Sequence, residues 1–292
     1  MKRSQKLIPG FAFLVLVIAL LISSCQKDVS ATDQSGQARN LSIFLTDDPC
    51  QYDSVFIDIR TLEVKIDTSR HRDDDHFGEN EDHDGDDDHE HHDEFGKWDT
   101  LNIRAGVYNI LQLRNGIDTL LATGNIPAGA VRKIRITLGT NNRIVVAGIS
   151  HPLLLEGNRN FVYIKIHKEH EDDLGSGRSG IWLDFNVCES IKFNNGQYYL
   201  KPYLKPFGHK NFGKIEGKVF PAAAHAIVIA RNATDSASAM PEHDGEYEMQ
   251  GLKAGSYTVT FDGITGYRDT VLTNVQVQAG KETKLPSITL HP

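Results

Sequence analysis

Val55–Asp67 reads VFIDIRTLEVKID. Val55, Ile57 and Ile59 alternate with Phe56, Asp58 and Arg60; then Leu62, Val64 and Ile66 alternate with Glu63, Lys65 and Asp67. Apolar residues at period two mark a strand with one buried face. The apolar phase slips by one near Thr61. A β-bulge produces such a slip, and so does a break into two strands. The alternation recurs at Ile134, Ile136 and Leu138, at Val162, Ile164 and Ile166, and at Ile181, Leu183, Phe185 and Val187. Turn signals separate the runs: Asp47-Asp48-Pro49 after LSIFLT, Asn115-Gly116, and Ile126-Pro127-Ala128-Gly129. Gly106–Leu113 reads as a short helix or helical turn. Short strands at regular spacing, with neither long helical periodicity nor a βαβ rhythm, predict an all-β sandwich.

The chain begins differently. Lys2, Arg3 and Lys6 precede an unbroken apolar run of twelve residues, Phe11 to Ile22. A helix crossing a bilayer needs about 20 apolar residues, so the run is short for a permanent span and suits a secretory signal. Its end, Ile22-Ser23-Ser24-Cys25, resembles the bacterial lipobox. The resemblance implies a signal peptide over residues 1–24, cleavage before Cys25 and lipid on that cysteine. Gln26, not Asp, follows it, which by analogy with lipoprotein sorting favours the outer membrane, on its periplasmic or cell-surface face. Residues 25–40 are polar and read as a flexible tether.

With Cys25 given to lipid, two of the three cysteines remain, Cys50 and Cys188. An even remainder in an oxidising compartment predicts a disulfide; two buried thiols are the alternative. The formal charge of −8 is uneven. Residues 73–94 hold thirteen Asp or Glu and no Lys or Arg; without them and the three basic residues of the signal, 28 basic face 26 acidic side chains. A near-neutral body has no basic stripe for nucleic acid.

Leu45-Thr46-Asp47-Asp48-Pro49, Gly106-Val107-Tyr108, Ile126-Pro127-Ala128-Gly129, Leu183-Asp184-Phe185 and Leu200-Lys201-Pro202 resemble domain of unknown function 4382 over residues 41–207. That resemblance implies an exported, often lipid-anchored β-sandwich and carries over no activity. A linker is expected at 208–213. Beyond it, Asp244-Gly245, Gly251-Leu252, Gly255 and Tyr257 resemble a carboxypeptidase regulatory-like domain over 214–292. This implies a second sandwich, related to transthyretin-like and carbohydrate-binding-like folds. The expected architecture is two immunoglobulin-like or transthyretin-like β-sandwiches in tandem after a lipoprotein signal peptide.

The most unusual stretch is the acidic and histidine-rich run inserted at 70–96. Asp82, His83, Asp84, Asp86, Asp88, His89, His91 and His92 are candidate ligands for calcium or zinc. The Asp spacing suggests an EF-hand, but Asp87 stands where the loop glycine belongs and Asp93 where the closing Glu belongs. A disordered, solvated loop of repelling charge is the favoured reading of the run. His167 and His170 join such a site only if their loop lies near it. Gly175–Gly180 satisfies GxGxxG, yet a strand follows it, so it reads as a hairpin loop. Trp98, Trp182 and Tyr203 form either a sugar platform or ordinary packing. No metalloprotease helix, nucleophile elbow or P-loop is present in the sequence. The expected function is that of a non-enzymatic, cofactor-free envelope module: membrane-anchored by lipid, binding glycans or envelope proteins, with weak calcium or zinc binding by the Asp/His run as the alternative.

Overall fold

The computed structural model describes residues 38–68, 96–264 and 266–292. These fold as β-sheets with a few short helical turns. Ser54–Asp67 is one unbroken strand of 14 residues. Its register against Ala130–Leu138 shifts between Ile59 and Thr61, so Arg60 is the extra residue of a bulge. The bulge turns Val55, Ile57 and Ile59 and then Leu62, Val64 and Ile66 to the same side, and all six are buried. Asp58, fully buried beside it, receives the backbone N–H of Asn141 at 3.1 Å and Nη2 of Arg60 at 2.8 Å. A carboxylate there holds the bulge against the 139–142 loop.

That strand is central in a nine-stranded sheet with the path Phe161–Lys165, Ala130–Leu138, Ser54–Asp67, Arg143–Val146, Ile149–Leu155, Gln197–Leu200, Ile191–Asn194. Lys97–Thr100 and Gly106–Asn109 pair with it as well. Gly106–Leu113 thus splits into a strand and one 3-10 turn, Ile110–Gln112. A second sheet has Arg39–Asp48 between Arg178–Asn186, which is parallel to it, and Thr119–Ile126, which is antiparallel. The two sheets share one core, to which Leu41, Ile43 and Ile181 come from one side and Val55, Ile57 and Leu62 from the other. Each fully buried aliphatic side chain contributes about 1.5–3 kcal/mol before entropy is counted.

The first strand outlasts its expected turn. Asp47 and Asp48 remain extended and the strand ends before Pro49, because both keep register partners, Phe185 and Asn186, on the parallel strand. Residues 208–213 pack as well: Phe212 is buried and its N–H donates to the carbonyl of Gly208 at 3.1 Å.

Residues 213–290 form a second core between two four-stranded sheets. One carries Glu246–Leu252, Gly213–Phe220, Glu282–Lys284 and Ile288–Thr289; the other carries Ser236–Ala239, Ile227–Arg231, Gly255–Asp262 and Thr270–Val277. Tyr247, Met249, Tyr257, Val259 and Phe261 alternate into this core. The chain is all-β, with two sandwiches in tandem.

Candidate functional site

The site is the seam between the two cores, and strand alternation builds it. On Arg39–Asp48 the core takes Leu41, Ile43 and Leu45, leaving Phe44, Thr46 and Asp48 on the opposite face. On Arg178–Asn186 the core takes Ile181, Leu183 and Phe185, leaving Trp182, Asp184 and Asn186. The parallel register sets Phe44 beside Trp182, Thr46 beside Asp184 and Asp48 beside Asn186. Such an outward face is ordinarily solvated. Here the second sandwich covers it, and Asp48 and Asp184 are buried.

Apolar contacts hold one end. Phe44 and Trp182 stack with ring centroids 4.7 Å apart, and Phe207 and Phe212 complete the cluster. The indole N–H of Trp182 donates to Asp118 at 2.7 Å, which satisfies the one polar atom of the ring. Charge holds the other end. Asp48 accepts from Asn186 Nδ2 and from the backbone N–H of Ser238, both at 2.7 Å, and from the Ser238 hydroxyl. Lys205, register partner of Asp184, donates to Asp235 and, at 3.2 Å, to the carbonyl of Ser236. Asp235 also accepts from the Lys253 N–H at 2.8 Å and the Tyr257 hydroxyl at 2.6 Å. Further along, Arg114 pairs with Glu242 at 3.1 Å, and Asn115 Nδ2 donates to the Met240 carbonyl at 2.8 Å. Asn115-Gly116 does form a left-handed turn, at φ 55° and 78°. A Cβ on Gly116 would lie 2.5 Å from Glu248 Oε1, so glycine permits the second sandwich to approach this closely.

A cleft of about 670 Å³ opens along this seam, lined by Asp48, Asp184 and Asp235 with the exposed Lys165, Arg231 and Lys253 among its other walls. Burial pushes the Asp48 carboxyl up to about 6, against the Ser238 hydrogen bonds and Lys205. Burial also raises Asp184 well above the usual carboxylate range; Asp48 adds repulsion and Lys205 offsets part of it. The cleft therefore has a carboxyl-rich floor and a cationic rim, which suits holding a charged or polar group.

His167 and His170, which join a metal site only if their loop lies near the Asp/His run, a run outside the described residues, cap one 3-10 turn: the His167 N–H donates to Nδ1 of His170 at 3.1 Å. His170 is buried against Phe212. Burial drops its imidazole to about 4; Glu169 opposes the shift, while His167 and Lys253 reinforce it. A folded-state value below the unfolded one near 6.5 gives stability that is full above pH 6.5 and is lost as pH falls toward 4. Acid titration followed by urea midpoints is expected to show a decline of roughly 2 kcal/mol across that window that is absent in His170→Gln. An equal decline in both proteins refutes the assignment.

The other expected site residues fall as follows. Cys50 and Cys188 are joined in a disulfide with Cα atoms 5.2 Å apart. Cys25 and the metal candidates Asp82, His83, Asp84, Asp86, Asp88, His89, His91 and His92 lie outside the described residues. Trp98 sits in the nine-stranded sheet against Tyr163, Trp182 is buried in the seam, and Tyr203 is exposed at the cleft, so the three belong to different surroundings. Gly175–Arg178 is a hairpin connection. Lys205, Asp235 and Ser238 had no motif to announce them. The only sequence signal among them is that Lys205 is the one polar residue of Leu204–Phe207.

The fold and its charged seam define a class: tandem β-sandwiches fastened face to flank. The chain belongs to the family described as Domain of unknown function (DUF4382), whose pattern matches residues 39–202. No curated protein matches it. Among solved structures, it resembles a type II cohesin–X-dockerin complex from Acetivibrio cellulolyticus at 22% identity and TM-score 0.23, covering 27% of this chain and 56% of that one. The minor pilin of Streptococcus agalactiae is 12% identical, covering 86% and 96% of the two chains at TM-score 0.21. The shaft pilin of Lactobacillus rhamnosus GG is 9% identical, covering 87% and 98% at TM-score 0.21. The chain spans about half the length of the cohesin-complex chain, and at these scores the likenesses carry no functional argument.

Proposed function

We propose that the chain is a lipid-anchored protein of the bacterial outer membrane that acts without catalysis, as a stiff binding or structural module. The observation that supports this reading is the seam, where Lys205–Asp235 and Asp48–Ser238 fasten two sandwich cores. A fastened pair presents its distal loops on one body rather than on a swinging arm. In this reading Cys25 carries lipid, residues 25–40 are the tether, and residues 214–292 serve as a carboxypeptidase regulatory-like sandwich. Cys25→Ser is expected to abolish incorporation of labelled palmitate and to move at least nine-tenths of the chain out of the membrane pellet. A variant that stays lipid-labelled sinks the anchor.

A second reading, glycan binding, has its own support. Phe161 and Tyr163 are 45% and 54% exposed, with rings 5.4 Å apart, and Trp98 lies 6.2 Å from Tyr163. The Arg135 guanidinium lies 4.7 Å over Trp98 while donating twice to Glu63 at 2.7 Å. Aromatic faces edged by fixed polar groups suit a sugar ring. Affinity gels containing polysaccharides are expected to retard the chain, and Tyr163→Ala to weaken retardation about tenfold. Free migration in every polysaccharide rules this reading out.

A further inference from the structure

The floor of the seam cleft carries Asp48, Asp184 and Asp235 with Lys205. Two of these carboxylates are well supplied with donors. Asp48 accepts from Asn186 Nδ2 and from the N–H and hydroxyl of Ser238. Asp235 accepts from Lys205, the Lys253 N–H and the Tyr257 hydroxyl. Asp184 differs. It lies on the seam face of its strand and is only 6% exposed, yet its Oδ1 has no hydrogen-bond partner. Lys205, its register neighbour, donates to Asp235 and to the Ser236 carbonyl. Burial, then Asp48 and Asp235, disfavour a charge on Asp184, and Lys205 offsets only part of this. A buried carboxylate oxygen without a donor is costly, and native proteins rarely leave one so. A second positively charged donor on the floor would fill that acceptor and balance the acids around it.

Charge changes sign toward the rim. Lys165, Arg231 and Lys253 are exposed there, with Glu169 and Glu189 also on the walls. Tyr203 and Pro206 add apolar wall. At about 670 Å³ the cleft is of small-molecule size. A metal ion suits it less well, because among the described residues no three acidic, His or Cys side chains form a metal cage.

We propose that the cleft binds a small zwitterion of the ω-amino acid class, whose primary ammonium reaches Asp184 while its carboxylate meets the rim cations Lys165, Arg231 and Lys253. The ammonium supplies the donor that Oδ1 of Asp184 accepts, and Tyr203 and Pro206 cover the methylene stem. The site does not depend on the lipid anchor or on glycan binding.

The test is a ligand-observed NMR titration of the full chain in detergent at pH 7.5 with three matched probes: 5-aminopentanoate, pentylamine and pentanoate. The isosteric variant Asp184→Asn is titrated beside the wild type, so that probe taken up by detergent or by residues 73–94 is common to both. The wild type is expected to bind 5-aminopentanoate with a dissociation constant on the order of 1 mM, pentylamine several-fold more weakly and pentanoate not at all. Asp184→Asn is expected to weaken 5-aminopentanoate at least tenfold, as loss of a hydrogen bond between charged groups does. Equal binding by variant and wild type overturns the proposal, and so does pentanoate binding as tightly as the two amines. If the variant does not fold, wild-type crystals soaked in 5-aminopentanoate decide the matter. An ammonium within hydrogen-bond distance of Asp184 supports the site; an empty cleft or a reversed ligand removes it.

Discussion

Lys205→Ala is expected to destabilise the chain by about 3–5 kcal/mol, the usual cost of removing one partner of a buried ion pair. The Lys205 and Asp235 side chains are only 16% and 3% exposed. Without the ammonium, Asp235 keeps the Tyr257 hydroxyl and the Lys253 N–H but loses its counter-charge. Asp48 and Asp184 lose the one cation that offsets their burial. Urea unfolding supplies the number. Lys205→Met/Asp235→Asn, which removes both charges, is expected to recover most of the loss, since a neutral pair leaves no buried charge uncompensated. The two cores should also part company in Lys205→Ala, with the single transition dividing into two. A loss below about 1 kcal/mol places the pair among ordinary surface bridges and removes the fastened seam.

Cys50→Ala/Cys188→Ala is expected to cost roughly 5 kcal/mol by the chain-entropy relation, because the bond closes a loop of 138 residues. Cys50 follows the strand Arg39–Asp48, and Cys188 follows its parallel partner Arg178–Asn186. The bond therefore pins the C-terminal ends of two strands that no short turn can join. Thermal unfolding with and without reductant is the measurement. The double variant should lose as much as the reduced wild type and gain nothing further from reductant. A midpoint unchanged by reductant shows the bond to be redundant with strand pairing.

The all-β character was legible because alternation is local: Val55–Asp67 carries its own period, its phase slip and thus its bulge. The cysteine pair was reachable by counting, once Cys25 is set aside on its resemblance to a lipobox cysteine. The seam was not legible. Asp47-Asp48-Pro49 reads as a turn, and only register partners and donors far along the chain, such as Ser238, hold Asp48 extended. Asp184 and Asp235 look like ordinary surface acids, and nothing local distinguishes a carboxyl that a second sandwich will cover. The Asp/His run drew attention for the opposite reason: its composition is unusual, whereas the seam's is commonplace.

The parallel pairing of Arg39–Asp48 with Arg178–Asn186 also sets a timetable. Synthesis delivers the first of these strands early and its partner roughly 140 residues later. At about 5–20 residues per second that is a wait of some 7–30 seconds. During this interval Leu41, Ile43 and Leu45 have no completed sheet to bury them. So Arg39–Asp48 can pair with Thr119–Ile126 as soon as that strand is made, but its other edge stays open until Arg178–Asn186 arrives. A chain of this topology is expected to fold slowly for its size, because that pairing must close a loop of more than 130 residues.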